Sequence, residues 1–379
     1  ILILPCPPMG NLGFHLCVLI SLACFNFPIN CFDIQNKVTT TLFVFGDSMF
    51  DPGNNNYIIN PSAYKANFEP YGKSYFKHPT GRFSDGRLVP DFIAEFANLP
   101  MIPSFYQALH NHSINHGVNF ASAGAGCLDE TYSEKVISLN TQLGNFKIIR
   151  KKLKAQLGKK GSKALLSNAV YLFSIGNNDY LRLYDIPDTP SDMSCLAYAT
   201  EHEYMNIMMD SLVTVMMEIY KLGGRKFGIQ DLLPLGCLPR FRDLALLKEG
   251  PHSDCLDELN SIVKKHNLAL SRRLKQFKKE LRGFEYSFFS IFDALNELFE
   301  NPSTYGFKEA KAACCGFGPY RGFGSCGMAE AYELCKNVKE HVIFDSYHPT
   351  EKAFHHFARV WWQGNSNVVE SQSLKSLLA

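Results

Sequence analysis

The chain has 379 residues, 46% of them hydrophobic and 20% charged. That length can bury a substantial core, and that composition excludes intrinsic disorder, collagen-like repeats and a coiled-coil rod. Lys and Arg number 38 against 36 Asp and Glu, so the formal charge of +2 gives no electrostatic case for a nucleic-acid partner. Residues 12–25 (LGFHLCVLISLACF) form an apolar run at the N-terminus. The run is shorter than the roughly 20 apolar residues of a membrane span. Residues 1–32 are therefore read as a secretory signal, with no stable membrane span. Met9 offers an alternative start, which would make ILILPCPP an upstream artefact. The remainder, 33–379, is expected to be a single domain, since no repeat or Gly/Ser/Pro-rich linker divides it.

Short apolar runs then alternate with longer amphipathic windows. Thr40–Phe45 reads as a buried strand ending at Gly46. Gly117–Ala121 is a second strand. Ala169–Ile175 is a third, stopped by Gly176. Arg225–Gln230 is a fourth and Phe284–Ile291 a fifth. Helical windows cover Thr141–Leu157, Tyr204–Leu222 and Cys255–Leu281. Strands alternating with helices predict an α/β fold: a parallel sheet of about five strands, doubly wound and covered on both faces. In such sheets ligands bind beyond the carboxyl ends of the strands. The abundance of Phe and Tyr, 30 and 17 residues, is read as core packing rather than as an aromatic platform.

Twelve cysteines are present, and Cys6, Cys17, Cys24 and Cys31 lie in or beside the signal region. The remaining eight are an even number, which in a secreted chain suggests disulfides. Cys237 with Cys255 is plausible as a local staple. Cys314 and Cys315 are adjacent, so they are expected to reach separately to Cys326 and Cys335. No C-x₂-C knuckle exists, so no metal is expected. The same holds for His110, His112 and His116, which are read as a surface loop. Asn111-His112-Ser113 is an N-glycosylation acceptor if the chain is secreted.

Candidate chemistry follows the strands. Ser48, in Gly46-Asp47-Ser48, sits just past the first strand, where a hydroxyl can face the crevice. Asp345 and His348 are three apart, a spacing that lets a carboxylate fix an imidazole tautomer while the other ring nitrogen takes a proton. Asn178, after the third strand, can aim its amide at a developing oxyanion, with the Ser48 N–H as a second donor. Gly124 or Gly126, after the second strand, can bring a bare N–H to the same oxygen. The dinucleotide pattern G-x-G-x-x-G, the P-loop and the G-x-S-x-G elbow are all absent. Asn54-Asn55-Asn56 is read as hydrogen-bonded support for the Ser48 segment. Arg82, Asp85 and Arg87 are read as structural ion pairs, and the run 147–152 as a solvated basic helix face. Met205, Met208, Met209, Met216 and Met217 are read as core.

The ordered set Gly46-Asp47-Ser48, Gly124, Asn178 and Asp345…His348 resembles the GDSL (SGNH) hydrolases. More specifically, the chain is similar to the plant GDSL esterase/lipase group. The resemblance runs through 41–58, 78–93, 117–126, 171–181, 231–239 and 314–350, almost everything after residue 40. CCGFGPYRG and NPSTYGF look most like its pathogen- and glucosinolate-associated branch. The resemblance implies a three-layer α/β/α sandwich of flavodoxin-like type and hydrolysis of carboxylic esters. It implies Ser48 as nucleophile, His348 as general base and Asp345 as its orienting partner. The oxyanion hole would be Ser48, Gly124 and Asn178, with Gly124 favoured over Gly126 by its place in N-x-A-S-x-G. Met49 stands where the family's nominal Leu would be, and Ala123 where many relatives have Gly. No cofactor is expected, because acyl transfer needs only nucleophile, base and donors. The expected substrate is a small-molecule or lipid ester. The alternatives are a non-catalytic, defence-associated accessory protein and a cell-wall polysaccharide deacetylase.

Overall fold

The computed structural model describes residues 40–110, 113–184, 200–250, 253–327 and 332–379. The expected signal region, the Asn111 acceptor, His112 and Cys195 lie outside the described residues. In chain order the main elements begin with β1 (Leu42–Gly46), α1 (Val89–Phe96), α2 (Phe105–Leu109), β2 (Gly117–Asn119) and α3 (Leu139–Asn168). They continue with β3 (Val170–Ser174), α4 (Asn177–Tyr184), α5 (Glu201–Lys221), β4 (Lys226–Gln230), α6 (Pro239–Glu249) and α7 (Asp257–Glu280). β5 (Glu285–Phe289), α8 (Ile291–Glu300), β6 (Cys315–Gly316), β7 (Glu333–Leu334), α9 (Glu351–Gln363), β8 (Val369–Glu370) and α10 (Leu374–Leu378) complete the set.

The central sheet has the order β2-β1-β3-β4-β5-β8. The five predicted strands pair in parallel, as expected of buried runs joined by helical crossovers. A sixth, β8, adds to β5 antiparallel and was not predicted. It has only two residues, too few to carry an alternation. The order reverses beside β1, with β2 on one side and β3 on the other, so the crevice expected of a doubly wound sheet opens there.

Side chains alternate across the sheet. Phe43, Tyr171 and Phe227 stack strand to strand on one face, with ring centroids 5.5 Å apart at each step. Phe146 of α3 meets Phe43 edge-on at 5.2 Å. On the opposite face Trp361 of α9 stacks on Phe289 at 5.5 Å and donates its indole N–H to Ser287. Helices thus cover both faces, and the abundant Phe is core. Met208, Met209 and Met216 are buried in α5 as predicted, whereas Met205 and Met217 are only half-buried. Ile149 of the basic run packs into the core while Lys151 is exposed.

α3 runs past its predicted end. Gly158 leaves helical geometry there (φ 70°), which is why periodicity stops at Leu157, and helix resumes to Asn168. At the other end of the fifth predicted strand, Ile291 belongs to α8, whose first turn is capped by the Ser290 side chain accepting from Asp293 N–H.

Cys237–Cys255 forms as expected, and Cys314 and Cys315 reach separately as expected, with the assignment left open by the sequence now Cys314–Cys335 and Cys315–Cys326. Cys127 is a buried free thiol with no disulfide partner among the described residues, and Cys195, the eighth cysteine, lies outside them. The Cys127 pKa is pushed well up by burial and by the nearby Asp179 and Asp47 carboxylates. A second, smaller core forms around the cystine loop, with Ala66, Tyr71, Phe83, Cys314, Cys315, Cys326 and Phe344.

Candidate active site

β1 delivers Ser48 to the rim of the sheet. Gln142, buried in α3, holds the strand's last residue in both senses: its Oε1 accepts from Gly46 N–H at 2.9 Å and its Nε2 donates to Gly46 O at 2.9 Å. The chain then turns tightly, with Phe50 and Asp51 N–H donating to Asp47 O. This turn leaves the Ser48 hydroxyl facing the cleft. The His348 ring nitrogen Nε2 lies 2.8 Å from Ser48 Oγ. His348 Nδ1 lies 2.8 Å and 3.0 Å from the two oxygens of Asp345. Residues 300 positions apart in sequence therefore form one hydrogen-bonded line.

The Asp345-to-His348 spacing works as a tight turn. Asp345 Oδ1 accepts from the Tyr347 and His348 N–H groups at 2.9 Å each. Tyr71 OH donates to Oδ2 at 2.7 Å. Asp345 is fully buried. Burial pushes its pKa up, but the His348 ring and these donors outweigh that and hold it below the usual carboxylate value. An ionised Asp345 can thus steady an imidazolium at His348. The Phe83 ring lies 4.8 Å from the His348 ring and limits its rotation.

Gly124 and Asn178 line the same cleft as Ser48 and His348, a cavity of about 230 Å³. Among the described residues neither the Ser48 nor the Gly124 N–H donates to a protein acceptor. Asn178, in the first turn of α4, donates to Ala125 O at 2.9 Å. An amide has two N–H bonds, so one remains for a ligand oxygen. Gly124 has φ 85°, and a Cβ there would lie 2.7 Å from the Tyr64 ring. Gly126 does not line the cleft. Leu181, Leu233, Leu235 and Leu238 make the apolar wall, with Met49 in the position of the family's Leu.

Three buried carboxylates, none of them assigned a role from the sequence, tie the loops together. Asp47 accepts from Met49 N–H at 3.0 Å and from the Asn177 amide at 3.1 Å. Asp51 accepts from Gly53 and Asn54 N–H with one oxygen and from Ala123 N–H with the other. Asp179 accepts from Cys127 N–H, Leu128 N–H and Thr131 OH. Burial raises the pKa of each to about 6, against the lowering effect of these donors. Periodicity cannot find such groups, because their partners are N–H groups of distant segments.

The predicted support residues are in place. Asn54 donates to Asn119 O and Ala121 O, and Asn55 to Tyr64 O and Ala123 O, stapling the nucleophile loop to the Gly124 segment. Arg82 makes a two-pronged, buried pair with Asp91. Arg87 pairs with Glu351 and Glu95, whereas Asp85, expected in an ion pair, makes none among the described residues and accepts instead from Ser74 OH and Glu351 N–H. Cys314, Cys335 and His341 converge, but the two thiols are joined as a disulfide and offer no thiolates to a metal. Of the histidine run, His110 is exposed and His116 half-buried.

The family model described as GDSL-like lipase/acylhydrolase matches residues 42–361, which span β1 to β5 and every site segment above. The chain belongs to this family and, with it, to the carboxylic ester hydrolases. It is 42% identical over 360 residues to a GDSL lipase of Tanacetum cinerariifolium, covering 95% of this chain and 93% of the relative. It is 44% identical over 356 residues to GDSL esterase/lipase 1 of Arabidopsis thaliana, covering 92% and 93%. GDSL esterase/lipase 5 of Arabidopsis thaliana is 43% identical over 334 residues, covering 87% and 84%.

Proposed function

We propose that the protein is a secreted serine esterase or lipase that works through an acyl-enzyme on Ser48. The supporting observation is the single line of hydrogen bonds from Ser48 Oγ through the His348 ring to Asp345. Ser48 Oγ attacks the ester carbonyl carbon, and its proton passes to His348 Nε2. Asp345 stays ionised and stabilises the imidazolium. The carbonyl oxygen becomes an oxyanion, received by the N–H groups of Ser48 and Gly124 and the Asn178 amide. Collapse of this adduct breaks the C–O bond, and His348 gives its proton to the departing alcohol. Water then attacks the acyl carbon with His348 again as base, releasing the acid and restoring Ser48.

The four leucines of the wall support an apolar acyl group. Among the described residues the lining carries no Lys or Arg, which supports neutral esters over anionic ones. Three disulfides support folding in an oxidising compartment, in keeping with a signal over residues 1–32 and a single domain over 33–379. Ser48→Ala, assayed on short-chain p-nitrophenyl esters, tests the reading. Turnover should fall to background, and a fluorophosphonate probe should label the Ser48 peptide of the wild type only. Undiminished turnover in the variant, or labelling at another serine, would refute it.

A further inference from the structure

Tyr71 belongs to none of the motif positions, yet it reaches the centre of the site from 274 residues away. We propose that Tyr71 is a positioning residue for the reaction: its hydroxyl pins the Asp345 carboxylate in the orientation that aligns His348 with Ser48. The proposal rests on the reading of Ser48, His348 and Asp345 as the reacting set.

The two oxygens of Asp345 are held unequally. Oδ1 accepts from Tyr347 N–H, His348 N–H and the His348 ring. Among the described residues Oδ2 accepts from Tyr71 OH at 2.7 Å and otherwise meets only the ring, at a longer 3.0 Å. Removing the phenol hydroxyl would leave Oδ2 buried with one shared donor. The carboxylate could then rotate about its Cβ–Cγ bond and take the imidazole with it.

The phenol is built in rather than incidental. Tyr71 is 1% exposed and meets three rings edge-on, Phe68 at 5.4 Å, Phe83 at 5.6 Å and Phe344 at 5.5 Å. Phe83 also packs against His348, so one cage of rings fixes both the donor and the base. Phe344 directly precedes Asp345 in the chain and accepts through its carbonyl from Cys315 N–H. Burial, and then the Asp345 charge, push the phenol pKa well up. Tyr71 thus remains a donor throughout the working pH range and does not itself titrate.

The sign of its electrostatic effect follows. A hydrogen bond from Tyr71 spreads the charge of Oδ2 and weakens its hold on an imidazolium. Loss of the hydroxyl concentrates that charge and raises the pH at which His348 gives up its proton. Asp47 and the Tyr347 ring also lie beside His348, and the Asp47 carboxylate is held by Met49 N–H and the Asn177 amide rather than by Tyr71 or Asp345. A shift produced by Tyr71→Phe therefore cannot come through Asp47.

Tyr71→Phe keeps the ring and removes one oxygen. We expect kcat on p-nitrophenyl esters to fall about tenfold with KM unchanged, the pattern of an interaction that acts at the chemical step. The acid limb of the kcat profile should move up by roughly half a pH unit. The His348 ring, followed by NMR in the intact protein, should show the same upward shift. In an Asp345→Asn background the Tyr71→Phe change should cost less than twofold, because its target is gone. A purely structural role would lower the thermal midpoint and leave the pH profile and ring titration where they were, and that result would overturn the proposal. So would an equal loss in both backgrounds. The NMR shift stands apart from turnover: a shifted ring in a protein whose Ser48→Ala variant still hydrolyses esters would sink the Ser48 reading and keep the role of Tyr71.

Discussion

Gly126 and Asp179 meet so closely that no side chain fits between them: a Cβ on Gly126 would lie 2.4 Å from Asp179 Oδ1. The contact assigns the two glycines of the Ala123-Gly124-Ala125-Gly126 segment to different tasks. Gly124 borders the cleft, whereas Gly126 lets the segment close over a buried carboxylate.

Gly126→Ala should therefore damage folding as well as turnover. The Asp179 carboxylate would have to shift from three donors at once. A loss of about 2–4 kcal/mol is expected, typical of an overpacked site that also breaks buried hydrogen bonds. Urea unfolding followed by circular dichroism measures it, and a change under 0.5 kcal/mol would count against the steric account.

Asn178→Ala should behave differently. The side chain anchors to Ala125 O and borders the cleft, but most of the surrounding loop is held by Asp179. A fall of about 10²–10³ in kcat with little change in KM is expected of a lost oxyanion donor. Steady-state kinetics on a soluble ester decides it.

Asp345→Asn should cost about 10³–10⁴ in kcat, by analogy with triads whose carboxylate orients the base. An asparagine cannot accept at both oxygens, so Tyr71 OH or the His348 ring loses its acceptor. Active-site titration with a fluorophosphonate should slow in proportion, and unchanged labelling would contradict the role.

The three buried carboxyls set a pH dependence of stability. Asp47, Asp51 and Asp179 each have a folded pKa near 6, above an unfolded value of about 3.9. The folded state therefore holds more protons than the unfolded chain between pH 4 and 6. Their contribution is fully present below about pH 4 and is lost as pH rises through 6. The Asp345 carboxyl, held low, works in the opposite sense and loses its contribution as pH falls through its depressed pKa. Thermal midpoints between pH 4 and 7 should show a shallower fall with rising pH in Asp51→Asn than in the wild type, alongside an overall loss from its unpaired N–H partners. An identical slope would mean that Asp51 does not titrate there.

Much of this was legible in the chain itself. β1 to β5 announce themselves as apolar runs of strand length, and Gly46 and Gly176 mark where two of them stop. Ser48, Asn178, Asp345 and His348 were readable because each follows a strand end or sits in a compact motif. α9 carries a local signal of its own: Thr350 as a cap, then Phe354, Phe357, Ala358 and Trp361 on one face. β8 and Tyr71 carried none. Two residues show no period, and a hydroxyl whose acceptor lies 274 positions away leaves no local trace. The same is true of Asp51 and Gln142, whose partners are main-chain groups brought near only by the finished fold.

The 300-residue separation of Ser48 from its ring partner also orders events in time. During translation Ser48 emerges 300 residues before His348. Over that interval the growing polypeptide holds the alcohol without its ring partner. On the Ser48 reading, a product terminated before Asp345 lacks both carboxylate and ring and should be null for hydrolysis.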